Sequence, residues 1–180
     1  GFLVVIPDYR KVPDVHFPAF LDDGAEAVAW VEKNIAGHGG DPERLAFMGH
    51  SAGAYQAVML ALDAKRLVAA GADPANLKAA VGLSGPYDFY PFDKPRSIAA
   101  MGQWPRPLET QPIEFAHKDA PPLLLVTSEG DETVRPKNAN NLAAKLRGRG
   151  APVEVTNYGP LDHEEVVMAL SVPFRSKGPV

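Results

Sequence analysis

Short apolar runs recur along the chain, and segments with the spacing of amphipathic helices separate them. FLVVI at residues 2–6 and LLLV at residues 123–126 are continuously apolar and do not alternate between apolar and polar residues. Strands buried on both faces have this pattern, which is typical of parallel sheets with helices on both faces. The sequence therefore predicts an α/β fold built on a mostly parallel sheet.

The spacing predicts five strands and four helices. Strands are expected over residues 2–6, 45–48, 79–83 and 123–127, with a fifth marked by Val153 and Val155. Helices are expected over residues 19–35, 52–62, 137–147 and 164–170, with Gly148 placed to end the third. In such folds ligands bind beyond the carboxyl ends of the parallel strands, so we expect a site at that edge.

The length of 180 residues suits one buried core, so we expect one domain over residues 1–180. Residues 84–120 are an excursion whose six prolines argue against long regular elements, and we expect it to lie on the surface and hang over a site. Its aromatic side chains either line a substrate pocket, with Tyr87 and Trp104 as the candidate contacts, or merely anchor the loop. They include Tyr87, Phe89, Tyr90, Phe92 and Trp104.

The composition argues against several classes of partner. The net charge is −4 with no cluster of basic residues, which argues against nucleic acid or an anionic membrane surface. The chain has no cysteine, so a thiolate nucleophile and a zinc-thiolate site are excluded. No apolar run approaches the roughly 18 residues of a membrane span. We expect a soluble protein with a small-molecule partner and favour the cytoplasm, although an export signal ahead of Gly1 would leave no trace. The oligomeric state stays open.

The segment MGHSAGA at residues 48–54 places a serine between two glycines, after a predicted strand and before a predicted helix. This order is that of a nucleophile elbow, in which a strained turn exposes the hydroxyl of Ser51 at the sheet edge. Gly49 and Gly53 are expected to let the strand and the helix approach closely. Ser84 also follows a predicted strand, but Pro86 and no helix follow it, so it is the weaker candidate.

A serine nucleophile requires a base, and His163 is the favoured one because it follows the fifth predicted strand at the same edge. His50 is adjacent to Ser51, so we interpret it as packing or as lining the substrate pocket. The remaining histidines are less favourably placed: His16, His38 and His117.

The base in turn requires an acid to orient it, and Asp131 is the favoured one because it follows the fourth predicted strand. Glu129, Glu132 and Asp162 are the competing candidates, and Asp162 is too close to His163 along the chain to orient it easily. The resulting order of Ser, Asp and His along the chain is the order of α/β-hydrolases.

Five segments carry a resemblance to a known family. They are VVIPDYRKVPDVHFPAFLDDGAEAVAWVEKN, GGDPERLAFMGHSAGA, VGLSGPYDF, LLLVTSEGDETV and YGPLDH. Together they resemble α/β-hydrolases, in the carboxylesterase and lipase group near the hormone-sensitive lipase-like and acetyl-esterase-like enzymes. The resemblance runs over nearly the whole chain. It implies the α/β-hydrolase fold and esterase activity.

By this resemblance Ser51 is the nucleophile, Asp131 the acid and His163 the base. The N–H of Ala52 is then one oxyanion-hole donor, and no cofactor or metal is implied. Arg10 is expected to form a structural ion pair with Asp22 or Asp23.

The sequence departs from the family at its beginning. Related enzymes take a second oxyanion donor from an upstream His-Gly-Gly loop, and residues 38–40 imitate that loop at a different place in the chain. We therefore expect a fold that is incomplete at the N-terminus and a chain that is a fragment of a longer enzyme.

The residues and the resemblance together predict a serine hydrolase that cleaves carboxylic esters through an acyl-enzyme intermediate. Two further hypotheses stay open. One is an amide-cleaving hydrolase with the same triad, resembling arylformamidases or prolyl peptidases, because the fold and the triad do not fix the leaving group. The second is a non-catalytic binding domain that keeps the elbow.

Overall fold

The computed structural model describes residues 1–177 and contains a four-stranded sheet with the order β1-β2-β3-β4, in which every neighbouring pair is parallel. The strands are β1 (Leu45–His50), β2 (Leu77–Leu83), β3 (Leu123–Thr127) and β4 (Val153–Asn157). The prediction of an α/β fold with a parallel sheet is confirmed. Residues 178–180, the end of the predicted domain, lie outside the described residues.

Six α-helices accompany the sheet within the described residues. They are α1 (Ala19–Asn34), α2 (Ala52–Leu62), α3 (Ala64–Ala69), α4 (Pro95–Met101), α5 (Lys137–Arg149) and α6 (His163–Met168). Short 3₁₀ turns cover Ile35–His38, Pro74–Asn76, Pro107–Thr110, Pro112–Phe115 and Val172–Lys177. None of the helices in residues 1–177 is long and apolar enough to cross a membrane.

Helices lie on both faces of the sheet, but the predicted cover is incomplete at the edge strands of the second face, where Met48 of β1 is 54% exposed. On one face α2 and α5 bury the main core against β2 and β3, where Val58, Leu125 and Leu142 are fully buried. On the other face α6 packs against the ends of β2 and β3, and Val166 contacts a smaller cluster that includes Leu83. Helix α1 packs on α2 and α3 through a third cluster.

The strand predicted at residues 2–6 is wrong. These residues form no strand in the structure, and their apolar side chains are exposed, from 40% for Val5 to 94% for Phe2. An apolar run becomes a strand where a neighbouring strand pairs with its backbone, and none of β1 to β4 pairs with this segment. The apolar pattern by itself did not carry that information.

The end predicted for the third long helix is also wrong. Helix α5 continues through Gly148 to Arg149, and Gly150 closes it with a left-handed φ of 82°. The N–H of Gly150 donates to the carbonyl oxygens of Arg147 and Leu146, which satisfies the last turn. Both glycines were suitable by residue type, and Gly150 is the one that adopts the left-handed conformation.

The excursion over residues 84–120 contains more regular structure than its prolines suggested, because α4 and two 3₁₀ turns lie within it. Two buried amide side chains hold it to the core. Asn138 Oδ1 accepts from the N–H groups of Tyr87 and Asp88, both at 2.9 Å, and Gln111 Oε1 accepts from Phe89 N–H at 2.8 Å. The first part of the excursion is therefore fixed to α5 and to its own second half.

Helix α2 also holds the excursion. The hydroxyl of Tyr55 donates to the carbonyl oxygen of Thr110 at 2.9 Å. Both residues are buried, and burial raises the pKa of the Tyr55 hydroxyl, which therefore stays a neutral donor.

The strand register aligns the carboxyl ends of the sheet. His50 of β1 pairs with Leu83 of β2, Leu83 pairs with Val126 of β3, and the next residue of β3, Thr127, pairs with Asn157 of β4. The segments that come after these strands therefore emerge along one edge of the sheet.

Candidate active site

Ser51 occupies the turn between β1 and α2 with φ 54° and ψ −118°. Residues with side chains rarely adopt a positive φ, because such a conformation costs about 1–3 kcal/mol that the surrounding structure must offset. Here the N–H of Ser51 donates to the carbonyl oxygen of Leu83 at 2.9 Å, which continues the β1-β2 pairing into the turn. Helix α2 starts at the next residue. The sheet and the helix together impose the strained turn that the sequence predicted.

The two glycines of the motif are not equivalent. A Cβ at Gly49 would lie 2.2 Å from the carbonyl carbon and oxygen of Gly53, far closer than atoms can approach. A Cβ at Gly53 would meet no described atom within 4 Å. Close packing of the strand end on the helix start therefore requires glycine at position 49, whereas nothing in the described structure requires it at position 53, contrary to our expectation for both.

The three side chains singled out as nucleophile, base and acid lie in contact with one another. His163 Nε2 lies 2.8 Å from Ser51 Oγ, and His163 Nδ1 lies 2.8 Å from Asp131 Oδ2. Asp131 is buried, and its other oxygen accepts from the N–H groups of Thr133 at 3.0 Å and Val134 at 2.8 Å. A carboxylate acceptor favours the tautomer in which His163 carries its proton on Nδ1, which leaves Nε2 free to accept from the serine hydroxyl.

The start of α6 positions His163. Asp162 is the N-cap: its carboxylate accepts from Glu165 N–H at 2.8 Å, while the Glu165 carboxylate accepts from Asp162 N–H at 3.1 Å. This capping box fixes the first turn, whose first residue is His163. It also occupies the carboxylate of Asp162, one of the competing candidates for the acid.

The remaining candidate acids and the second candidate serine lie in different surroundings. Glu129 accepts a hydrogen bond from the side chain of Asn157, and Glu132 is exposed. Ser84 is 1% exposed, and its hydroxyl makes no hydrogen bond to another described residue.

Three histidines lie apart from these contacts. His16 Nδ1 lies 2.8 Å from the carbonyl oxygen of Ala99, and the His38 ring lies 6.3 Å from the Trp30 ring. His117 lies in the excursion, before β3.

Ser128 joins the turn that carries Asp131 to the turn that carries His163, and sequence reasoning missed it. It is fully buried, and its hydroxyl lies 2.6 Å from the carbonyl oxygen of Leu161 and 2.9 Å from that of Gly159. The two turns meet so closely that a Cβ at Gly130 would lie 2.7 Å from the carbonyl oxygen of Leu161. The adjacent polar and glycine residues in TSEGD were the available signal, but such residues are equally common in solvated turns.

His50, interpreted from the sequence as packing or as a pocket residue, contacts His163, the predicted base. Its Nε2 lies 2.8 Å from the carbonyl oxygen of His163, and the two imidazole rings lie 4.6 Å apart. Burial is the largest influence on the His50 imidazole and lowers its pKa, so the ring favours its neutral form.

The N–H of Ala52, the predicted oxyanion donor, lies at the start of α2. Ala52 is the first residue of the helix, so its N–H has no partner inside the helix, and the positive end of the helix dipole lies at the same point. Residues 38–40, which imitate a His-Gly-Gly loop, precede β1 and therefore lie at the opposite end of that strand from Ser51.

Arg10 forms its ion pair with Asp23, one of the two expected partners. Its Nη2 lies 2.6 Å from Asp23 Oδ1, and the guanidinium lowers the pKa of the Asp23 carboxyl. The pair joins the segment before α1 to α1.

The two aromatic residues proposed as substrate contacts pack within the protein. Tyr87 has no exposed surface and belongs to the main core. Trp104 packs edge-on against Phe17, with ring centroids 5.0 Å apart, and its Nε1–H donates to Glu109 at 3.1 Å. In this conformation both side chains anchor the excursion, the second of the two interpretations.

Among residues 1–177, no group of three or more His, Cys, Asp or Glu side chains is arranged to hold a metal ion.

Comparison with known proteins gives concordant matches. The family model described as BD-FAE matches residues 1–146. The chain is 30% identical over 195 residues to esterase LipQ of Mycobacterium tuberculosis, covering 98% of this chain and 45% of that protein. It is 26% identical over 187 residues to isoprenylcysteine alpha-carbonyl methylesterase ICME of Arabidopsis thaliana, covering 92% and 44%. The chain thus spans less than half the length of these two curated relatives.

A solved structure shares the fold at lower sequence identity. The acetyl ester-xyloside bifunctional hydrolase from Caldicellulosiruptor lactoaceticus is 22% identical, with a TM-score of 0.75 over 94% of this chain and 65% of that chain. The sequence resemblance to esterases of this fold is confirmed. The chain belongs to the BD-FAE family and has the α/β-hydrolase fold.

Proposed function

We propose that the protein hydrolyses small carboxylic esters, with Ser51 as nucleophile, His163 as base and Asp131 as orienting acid. The observation that carries the proposal is the continuous chain of contacts from Ser51 Oγ through both ring nitrogens of His163 to Asp131 Oδ2, each 2.8 Å long. Independent support comes from the esterase names of the matched relatives.

In the first half of the reaction, His163 Nε2 takes the proton of the Ser51 hydroxyl while the oxygen attacks the ester carbonyl carbon. The tetrahedral intermediate collapses, the carbon–oxygen bond to the leaving alcohol breaks, and the imidazolium returns its proton to that alcohol. Ser51 then carries the acyl group as an ester. Asp131 holds the ring in the required tautomer and stabilises its positive charge.

In the second half, His163 takes a proton from water and the resulting hydroxide equivalent attacks the acyl carbon. Collapse of this intermediate releases the carboxylic acid and regenerates the Ser51 hydroxyl. In both halves the negative oxygen needs donors that are already in place, and the Ala52 N–H at the start of α2 is the one we assign. Loss of one such donor typically costs about 100- to 1000-fold in turnover.

Trapping the covalent intermediate tests the proposal. The protein is mixed with p-nitrophenyl acetate, quenched in acid within the first turnovers and digested, and the peptides are analysed by mass spectrometry. We expect acetylation of Ser51, matched by release of p-nitrophenol. Acetylation of another residue, or turnover that survives in Ser51→Ala, would contradict the proposal.

A matched pair of substrates then defines the bond that is cleaved. p-Nitrophenyl acetate and p-nitroacetanilide present the same acyl group with an alcohol and an amine leaving group. We expect kcat/KM for the ester to exceed that for the amide by a large factor. An equal or higher kcat/KM for the amide would contradict the proposed ester hydrolysis and support amide hydrolysis instead.

A further inference from the structure

We propose that His50 is a positioning residue for this reaction: its ring N–H donates to the main-chain carbonyl of His163 and holds the base against the nucleophile. The inference rests on the proposed function, because it assigns a second task at the same site. It adds to the triad a residue that acts through its contact with His163.

The contact is direct and links distant parts of the chain. His50 Nε2 lies 2.8 Å from the carbonyl oxygen of His163, 113 residues later in the sequence. The two rings lie 4.6 Å apart with planes inclined at 44°. Because His50 is the last residue of β1 and immediately precedes Ser51, this hydrogen bond ties the strand that carries the nucleophile to the residue that carries the base.

The bond is independent of the one made by the acid. Asp131 holds His163 through ring nitrogen Nδ1 from the β3 side, whereas His50 holds its main chain from the β1 side. A main-chain anchor fixes where the Cα of His163 lies, and the carboxylate fixes how its ring is turned. Both are needed to keep Nε2 within reach of Ser51 Oγ, since misplacement of about 1 Å can cost about 100-fold in rate.

The partner determines the protonation of His50. A carbonyl oxygen only accepts hydrogen bonds, so Nε2 must carry a proton. Burial and the neighbouring His163 lower the pKa of His50, while the bond to the His163 carbonyl and the carboxylates of Asp131 and Glu164 oppose that shift, and the net change is downward. A neutral His50 avoids placing a second positive charge 4.6 Å from His163 when that ring becomes an imidazolium.

Three variants of His50 separate the donated hydrogen bond from simple filling of space. Glutamine places an amide N–H near the position of Nε2 and so keeps the donor. Asparagine is polar but one methylene shorter and does not reach. Phenylalanine keeps a flat ring without a donor.

Steady-state kinetics on p-nitrophenyl acetate provide the test, with thermal melting as a check on folding. We expect kcat to fall by about 10- to 100-fold in His50→Phe and His50→Asn with KM changed by less than about threefold, because a misplaced base slows chemistry and not binding. His50→Gln should stay within about threefold of wild type. Equal losses in Gln and Asn, or wild-type kcat in Asn, would overturn the inference.

A second readout uses the pH dependence of stability. An unfolded histidine has a pKa near 6.5, and folding lowers that of His50, so below this pH the unfolded chain binds the proton more readily than the folded one. The wild type should therefore lose more melting temperature than His50→Gln between pH 8 and pH 5.5. Identical losses would contradict the neutral state that the bond requires.

Ser51→Ala distinguishes failure of this inference from failure of the proposed function. If Ser51→Ala is inactive while every His50 variant keeps wild-type kcat, the ester hydrolase stands and the positioning role is wrong. If Ser51→Ala retains activity, the proposed function itself is wrong, and the positioning role that rests on it falls as well.

Discussion

Two serines follow neighbouring strands of the same sheet and have similar backbone strain, but their surroundings differ. Ser51 follows β1 with φ 54°, and Ser84 follows β2 with φ 48°. The hydroxyl of Ser51 lies 2.8 Å from His163 Nε2, whereas that of Ser84 is buried with no hydrogen-bond partner among the described residues. A strained turn at the carboxyl edge of a sheet therefore does not by itself bring a serine hydroxyl to a histidine.

The chain takes a different path after each serine, and the two paths explain the difference. After Ser51, helix α2 starts at once and the chain turns back along the sheet, so the hydroxyl stays at the edge, facing the start of α6. After Ser84, the chain enters the core through Tyr87, whose hydroxyl packs so tightly that a Cβ at Gly82 would lie 1.9 Å from it. The first turn leaves its serine side chain at the edge of the sheet, and the second buries one.

Removing each hydroxyl tests this contrast most severely. We expect Ser51→Ala to lose about 10⁴-fold or more in kcat, because no other group of the triad can replace the nucleophile. Ser84→Ala, the matched control, should keep kcat within about threefold and unfolding free energy within about 0.5 kcal/mol. Aryl ester kinetics and denaturant unfolding measure both. Comparable losses in the two variants would remove the distinction.

The acid should matter almost as much as the nucleophile. In Asp131→Asn the amide N–H₂ can face His163 Nδ1, which forces the proton onto Nε2 and blocks acceptance from Ser51. We expect kcat to fall by about 10³- to 10⁴-fold. The matched control is Glu129→Gln in the same turn, which should stay near wild type. A small effect of Asp131→Asn would mean that another group orients His163.

The two glycines of the elbow provide a steric test of how the edge is built. Gly49→Ala introduces a Cβ within 2.2 Å of backbone atoms, so we expect it to cost about 1–3 kcal/mol of stability and to lower kcat at least about 10-fold. Gly53→Ala meets open space inside a helix, where alanine is the better residue, and should be neutral or stabilising. Melting temperatures and kcat are measured for both variants. Equal losses of stability in Gly49→Ala and Gly53→Ala would contradict the conclusion that only position 49 requires glycine.

Ser128→Ala is expected to lower the rate less than the substitutions above, and its stability can be compared directly with that of Ser84→Ala. Ser128→Ala leaves the buried carbonyls of Leu161 and Gly159 without its hydroxyl, which should cost about 1–3 kcal/mol and lower kcat by about 3- to 10-fold. Ser84→Ala removes a hydroxyl that bonds to no described residue and should cost nothing comparable. Denaturant unfolding monitored by circular dichroism distinguishes the two. Equal stability of both variants would show that Ser128 does not join the turns.

The sequence predicted those features that are set by local pattern. Continuous apolar runs located β1, β2 and β3, as is typical of strands in a parallel sheet, and Val153 and Val155 marked β4. The order of strand, motif and helix predicted that Ser51 lies at the carboxyl edge of the sheet. Asp131 and His163 were predicted at the same edge because each follows a strand, and parallel strands bring their carboxyl ends together.

Other features depended on contacts that pattern does not encode. Residues 2–6 have the composition of a strand, but pairing requires a neighbour. Tyr87 is aromatic at the start of a proline-rich excursion, but whether it faces a ligand or the core depends on Asn138 and Gly82, of which Asn138 is far away in the sequence. Ser128 and His50 act through main-chain carbonyls, which every residue carries, so residue type gives no sign of the partner.

Reaction with a fluorophosphonate, followed by mass-spectrometric mapping of the modified residue, tests the central claim most directly. The probe reacts with a serine whose oxygen is activated by a neighbouring base and held beside an oxyanion donor. We predict modification of Ser51 at about one equivalent per chain, an unchanged rate in Ser84→Ala and no modification in Ser51→Ala. Modification of Ser84 or of any other residue, or a Ser51→Ala variant that reacts at the wild-type rate, would contradict the account.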